Sequence, residues 1–231
     1  MKNEGNGLLL IEKNIFLNSS ILIMKNSFKS ITEVYDLIAE KYTELFFEDF
    51  SDKEKIDKFL ELLPENSKIL DVGCGPGQFT KYFLELGYEV EGIDTSKEMI
   101  KIAKNKIKKD IFKIMDLRDL DYPDKSFDGI FASFSLIHIP KKELGLVLNE
   151  FHRVLKSDGI IYISVYEGEG GVIVDEPLKE GAKIFLKLFR EGELKKILLV
   201  SGFNLIDFSK KSVEIKGSLG PDYLFVIGKK N

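Results

Sequence analysis

Tryptophan is missing from this 231-residue chain, cysteine occurs once and histidine twice. The lone cysteine, Cys74, excludes an internal disulfide and fits a reducing compartment, so a cytoplasmic protein is expected. No apolar run approaches the ~20 residues that a helical membrane span needs. The apolar stretches at residues 8–11 and 21–23 are split by Glu12, Lys13 and Asn14. No small-residue cleavage site follows them, so they do not read as a secretory signal. A basic excess is also lacking. The net charge is −4, and no general positive field draws in nucleic acid. The run Asp116, Asp119, Asp121 and Asp124 has no neighbouring histidine and lacks calcium-loop spacing, so it reads as a polar loop.

The length suits one domain with a sizeable core. Met24-Lys25-Asn26-Ser27 reads as a second translation start. Residues 1–23 are therefore expected to be an extension, the alternative being a short hairpin on the domain edge, and residues 24–231 a single domain. Ser30-x-x-Glu33 is a capping box opening a helix to about Phe47, with apolar residues at helical spacing. A second box, Ser51 to Glu54, opens a helix that Pro64 ends.

The chain is organised around Ile69-Leu70-Asp71-Val72-Gly73-Cys74-Gly75-Pro76-Gly77. It reads as a buried strand that breaks at Gly73 and feeds a helix. A glycine-rich turn of this kind brings backbone N–H groups close to a ligand, and a side chain at Gly73 or Gly75 would block that approach. The spacing is not the G-x-G-x-x-G of dinucleotide folds. Asp71, at the strand end, suits an ammonium or amide donor and repels a pyrophosphate. A second strand ends at Asp94, within roughly 20 residues of the turn, where a Rossmann-like fold places the acid that accepts the ribose hydroxyls. The alternative is that Asp94 caps the next helix, but Thr95, with Glu98 three residues on, already supplies a cap. The six lysines of that helix read as a solvated face. A fourth strand, residues 127–133, ends at Ser133 and runs into Phe134 and His138. Its carboxyl end faces the ligand in an open α/β sheet. His138 reads either as a general base, since its pKa lies near neutrality, or as a fixed structural histidine.

The glycine turn, with Asp94 and Asp116 downstream, resembles the class I S-adenosylmethionine (SAM)-dependent methyltransferases of small-molecule type. Arg153-Val154-Leu155-Lys156-Ser157-Asp158-Gly159 is similar to that family's R-V-L-K-P-G-G turn, with Ser157-Asp158 in place of Pro-Gly. The resemblance implies a Rossmann-like α/β fold: a seven-stranded, mostly parallel sheet with an antiparallel C-terminal hairpin and helices on both faces. It implies SAM as cofactor, held by Asp71, Gly73, Cys74, Gly75 and Gly77 of the turn. Asp94, Thr95 and Met99 follow, Met99 lying against the adenine. Asp116 would meet the adenine amine, with Leu117 and Ser133 completing the set. It further implies N-terminal helices over residues 27–63 whose Tyr35 and Tyr42 border the substrate pocket with Phe134 and His138, and Tyr35 joins His138 as a catalytic candidate. A variable segment, residues 166–190, would cover the acceptor. Its acids Glu167, Glu169, Asp175 and Glu176 hint at a cationic acceptor, but a solvated loop accounts for them and is the reading taken.

SAM is already a potent methyl donor, so positioning an acceptor lone pair and excluding water supply most of what such a site must do. O- or N-methylation of a small molecule by a monomer or homodimer is expected, with neither membrane nor nucleic acid as partner. The chain lacks the Asn/Asp-Pro-Pro-aromatic motif of exocyclic base methylation, and Cys74, inside the turn, cannot serve as a pyrimidine C5 nucleophile. A protein or RNA methyltransferase and a non-catalytic SAM-binding module are the alternatives.

Overall fold

The computed structural model describes residues 30–212, 214–215, 218–219 and 222–231. The expected extension at 1–23, the second start at Met24, the first residues of the 27–63 segment and most of the 217–221 turn lie outside the described residues.

Helix α1, Ile31–Phe46, begins with the expected capping box, Ser30 and Glu33 each accepting the other's amide. Its buried face is Val34, Ile38, Ala39, Thr43 and Phe46, an apolar stripe at three- and four-residue spacing. Helix α2, Lys53–Glu61, starts without a side-chain cap. The second capping box does not form, because the Ser51 amide donates to Asp49 Oδ1 (3.0 Å) and the chain turns before the helix frame begins. Next come β1 (Lys68–Val72), α3 (Gln78–Glu85), β2 (Glu89–Asp94), α4 (Lys97–Ile107), β3 (Phe112–Ile114) and β4 (Phe127–Ser133). Two short 3-10 turns lead to α5 (Leu144–Val154), which runs directly into β5 (Leu155–Tyr166). Then follow β6 (Gly171–Asp175), β7 (Lys183–Lys187), α6 (Glu191–Val200), β8 (Phe203–Lys211), the two-residue strands β9 (Glu214–Ile215) and β10 (Ser218–Leu219), and β11 (Tyr223–Lys230).

Seven strands form one sheet in the order β3-β2-β1-β4-β5-β11-β8. β11 is antiparallel to both its neighbours, and the other pairs are parallel. The strand order reverses between β1 and β4, which opens a crevice at their carboxyl ends. Central strands covered on both faces read as continuous apolar runs, and residues 160–166 of β5 are buried throughout. Phe131 of β4 stacks on Tyr162 of β5 at 4.5 Å and 14°, with Phe59 and Phe83 packed edge-on or tilted around them. Asp128 ties three strands together at the far end of the sheet, accepting from the Lys68 amide and from Lys156 Nζ.

The structure departs from the sequence reading in two further places. The turn expected at 156–159 is absorbed into β5 as a register shift, and Asp158, not Gly159, takes the left-handed conformation (φ 64°). Gly159 is still required, since a Cβ there would lie 2.9 Å from the Leu155 side chain and 3.0 Å from the Lys156 carbonyl. Residues 166–190 are not a plain loop. β6 and β7 pair antiparallel, Val172 opposite Leu186 and Val174 opposite Ile184. Among the described residues no helix is long and apolar enough to cross a membrane.

Candidate active site

The crevice at the β1/β4 switch is a cavity of about 310 Å³. Its floor is the glycine turn. Gly73, Gly75 and Gly77 have φ of 69°, 52° and 86°, values that L side chains adopt only with strain. The Gly73 and Cys74 amides donate to the Ile93 carbonyl (2.8 and 2.9 Å), which pins the turn to β2. The surroundings of the three glycines differ. A Cβ on Gly73 would strike Ser135 Cβ at 2.7 Å, so the clash is with the loop after β4, not with a ligand as the sequence suggested. A Cβ on Gly75 would meet nothing within 4 Å. A Cβ on Gly77 would meet Ile107 at 2.8 Å, where α3 packs on α4.

Asp94 ends β2 and turns its carboxylate under this floor, accepting the Gly75 amide (3.0 Å) and the Ser96 amide (2.8 Å). Two of its roughly four lone-pair sites are left for a ligand. Burial raises its pKa, and the amides of Ser96, Gly75 and Thr95 oppose that rise. The expected cap on α4 shifts by one residue. Ser96, not Thr95, is the N-cap, accepting the Met99 amide at 3.2 Å. Thr95 instead accepts the Thr32 hydroxyl (3.0 Å). Ser96 Oγ donates to Asp36 Oδ1 (2.7 Å), and the Glu98 amide donates to the same oxygen (3.2 Å). Asp36 thus docks α1 on the positive end of α4. Sequence reasoning missed this contact, because the partners stand 60 residues apart.

Asp71 is buried beneath the turn, with the Thr80 hydroxyl donating to it at 2.6 Å. Burial pushes its carboxyl up to about 7. The Cys74 thiol packs among Ile100, Ala103 and Phe112, and burial pushes its pKa well up, so no thiolate is presented. Met99 is buried and Leu117 partly so, both against the cavity. Asp116 also lines it, but its two oxygens accept three hydrogen bonds from Arg118, through the amide, Nε and Nη2, which leaves one lone-pair site open. Ser133 Oγ and Ser164 Oγ lie 3.1 Å apart. Ser135 Oγ is buried at the cavity with no hydrogen-bond partner among the described residues, an orphaned group of the kind a bound ligand satisfies.

Beyond the turn the cavity becomes aromatic. Phe134 takes φ 49°, uncommon outside glycine, and its ring centroid is 5.0 Å from those of Tyr166 and Tyr223. Tyr35 and Tyr42 of α1 meet edge to face at 6.0 Å. His138 Nδ1 faces the Phe185 carbonyl at 3.0 Å and Nε2 faces the Tyr35 hydroxyl at 2.9 Å. A carbonyl only accepts, so Nδ1 carries the proton and Nε2 accepts from Tyr35. Burial lowers the His138 pKa to about 4. The sequence also left Glu176 in a solvated loop, and the structure corrects this. It is 5 % exposed and lines the cavity. Its three companions do pair at the surface, Glu167 with Lys210, Glu169 with Arg190 and Asp175 with Lys183. Charge alone did not distinguish Glu176 from them.

A bare glycine turn at a switch point, with a carboxylate closing the second strand, defines a Rossmann-like nucleoside-binding domain. A family model described as a methyltransferase domain matches residues 70–163. A malonyl-[acyl-carrier protein] O-methyltransferase of Hamiltonella defensa is 28% identical over 192 residues, covering 82% of this chain and 67% of that protein. A demethylmenaquinone methyltransferase of Thermotoga maritima is 32% identical over 143 residues, 58% of this chain and 61% of that protein. The chain therefore spans about two thirds or less of the length of these two relatives. In structure, 1,6-didemethyltoxoflavin-N1-methyltransferase of Burkholderia thailandensis, solved with 1,6-didemethyltoxoflavin and S-adenosylhomocysteine bound, gives a TM-score of 0.63 at 23% identity. That match covers 94% of this chain and 99% of the other. At that identity it speaks for the fold. Residues 70–163 thus carry a methyltransferase domain of the kind that takes its methyl group from SAM.

Proposed function

We propose that this protein moves a methyl group from SAM to an oxygen or nitrogen atom of a small-molecule acceptor. The observation that carries the reading is that one cavity is lined both by the glycine turn with Asp71 and Asp94 and by Tyr35, Tyr42, Phe134 and His138. The relatives' names include both kinds of acceptor atom, one being a malonyl-[acyl-carrier protein] O-methyltransferase and one a 1,6-didemethyltoxoflavin-N1-methyltransferase.

The residues fit a nucleoside bearing a sulfonium and an ammonium. Asp94 keeps free lone pairs for a ribose diol, and the Gly75 position is open on the cavity side. Thr95, Met99, Asp116 and Leu117 line the cavity and would border the adenine, and the orphaned Ser135 hydroxyl would offer one more polar contact. Asp71 lies below Gly73 and Gly75 and answers a cationic amine. When bound, SAM supplies an electrophilic methyl group. The protein's own part is to hold the acceptor lone pair in line and to keep water out, which accounts for up to ~7–11 kcal/mol of barrier reduction in favourable cases. The Tyr35–His138 pair belongs to that positioning. His138 is neutral at pH 7, and its Nε2 is occupied by Tyr35, so it fixes the tyrosine hydroxyl in place.

Calorimetric titration with S-adenosylhomocysteine and with NAD, followed by an assay for acceptor-dependent release of S-adenosylhomocysteine from SAM, tests the proposal. Binding of the sulfur nucleoside without NAD, and turnover with a small amine, phenol or carboxylate, is the expected result. Binding of NAD alone overturns the cofactor reading. Cofactor binding with no turnover on any acceptor favours a non-catalytic module.

A further inference from the structure

The charge around the cavity selects among acceptor classes. Among the described residues, its lining carries six carboxylates, Asp49, Asp52, Asp71, Asp94, Asp116 and Glu176, against one guanidinium, Arg118, and no lysine. Arg118 is committed to Asp116 and to Glu143 (2.8 Å). Five of the six acids have evident work within the fold. Asp52 pairs with Lys211 (2.7 Å), Asp116 pairs with Arg118, Asp94 takes two amides, Asp71 takes the Thr80 hydroxyl and Asp49 takes the Ser51 amide.

Glu176 takes one amide as Asp49 does, but it is buried and is the one of the six that stands on the β6–β7 connection. It follows β6 directly, in the connection to β7, and is 5 % exposed. Oε1 accepts the Leu178 amide (3.0 Å). Oε2 has no hydrogen-bond or ion partner among the described residues. Leu178, whose amide Glu176 accepts, packs in one cluster with Tyr35 and Tyr42, and Glu176 shares the cavity lining with both rings. A carboxylate buried without a counter-ion destabilises the protein that holds it, unless a ligand brings the missing charge. Aromatic walls favour the same kind of ligand, since ring faces attract cations.

We propose that Glu176 is the specificity determinant for an acceptor bearing an amino group, which seats between its free oxygen and the rings of Tyr35 and Tyr42. The inference rests on the methyltransferase reading and narrows its acceptor. It sets this chain apart from the O-methylation of a malonyl group named for the H. defensa relative, because an anionic acceptor would face Glu176 with no cation to screen it. The β6–β7 hairpin carries this choice, so the segment that covers the acceptor also selects its charge.

Three probes with one ring and different head groups test it: benzylamine, benzyl alcohol and benzoate, each titrated calorimetrically into protein saturated with S-adenosylhomocysteine. Benzylamine should bind at least about tenfold more tightly than benzoate, with the alcohol between them. Glu176→Gln should abolish the preference for the amine and leave affinity for S-adenosylhomocysteine unchanged. Benzoate binding as tightly as benzylamine, absence of binding by all three, or a preference that survives Glu176→Gln overturns the proposal and leaves the methyltransferase reading standing. Failure of S-adenosylhomocysteine to bind in the first place overturns that reading instead. The probe series on the native protein is decisive even where the Gln variant does not fold.

Discussion

Acidification from pH 8 to pH 6 should weaken S-adenosylhomocysteine binding through a single group, Asp71. Its carboxyl is buried and has the Thr80 hydroxyl as partner, and burial, with a smaller contribution from the charge on Asp94, holds its pKa at about 7. The unliganded protein therefore carries Asp71 protonated at pH 6 and ionised at pH 8. A ligand ammonium arriving beside it favours the carboxylate. If the complex keeps Asp71 ionised down to its ordinary range near pH 4, affinity falls about tenfold between pH 8 and pH 6, or ~1.4 kcal/mol. Close to one proton is then released per ligand bound at pH 6. Calorimetry at both pH values in phosphate and in Tris reads both quantities, because the two buffers take up protons with different heats. Asp71→Asn should bind with no such pH dependence. An affinity constant within about twofold over this range, with heats independent of buffer, would refute the reasoning. The sign for stability is the reverse. The unfolded chain ionises Asp71 near pH 4 while the folded chain holds its proton to about 7. Asp71's contribution to folding is thus fully present below pH 4 and is lost as pH rises through 7.

Asp94→Ala should weaken S-adenosylhomocysteine binding by ~1.5–3 kcal/mol, the worth of a charge-assisted hydrogen bond; an unchanged Kd removes Asp94 from the site. Gly75→Ala and Gly77→Ala should differ in kind. The first meets open space and suffers only the left-handed backbone, ~1–2 kcal/mol, while the second also collides with Ile107, so thermal denaturation should place Gly77→Ala well below Gly75→Ala. Asp36→Ala removes two hydrogen bonds from the start of α4 and should lower stability by ~1 kcal/mol in urea titration; no change means that α1 is held by its apolar face alone. His138 stays neutral above about pH 4, so native protein and His138→Ala should give parallel pH profiles of kcat/KM from pH 6 to 8. A neutral inflection present in the native protein and lost in the variant restores a proton-transfer role.

Local signals were legible where the physics is local. The Ser30–Glu33 box starts α1 because both partners lie within one turn of each other. Three glycines after an apolar strand mark the turn, because only glycine takes their φ without strain. The mostly parallel sheet and the antiparallel last pair also follow the resemblance. The signal blurred where two residues compete for one job. Thr95 and Ser96 both carry hydroxyls, and the frame of α4 is set by the docking of Asp36, so the cap moved by one. Asp158 and Gly159 stand side by side, and the register of β5 against β4 decided which of them turns left-handed.

The sequence by itself determined the strand–turn–helix floor, the acid at the end of β2 and the aromatic residues of α1, because backbone conformation and periodicity are written in neighbouring residues. The tertiary structure alone decided where each charge ends up. Glu167, Glu169, Asp175 and Glu176 are chemically alike and lie within ten residues of one another, yet Lys210, Arg190 and Lys183 pair with the first three at the surface. Glu176 is carried by the β6–β7 connection into the wall of the cavity. Burial and partnership depend on contacts between residues far apart in the chain, and these set the charge that an acceptor meets.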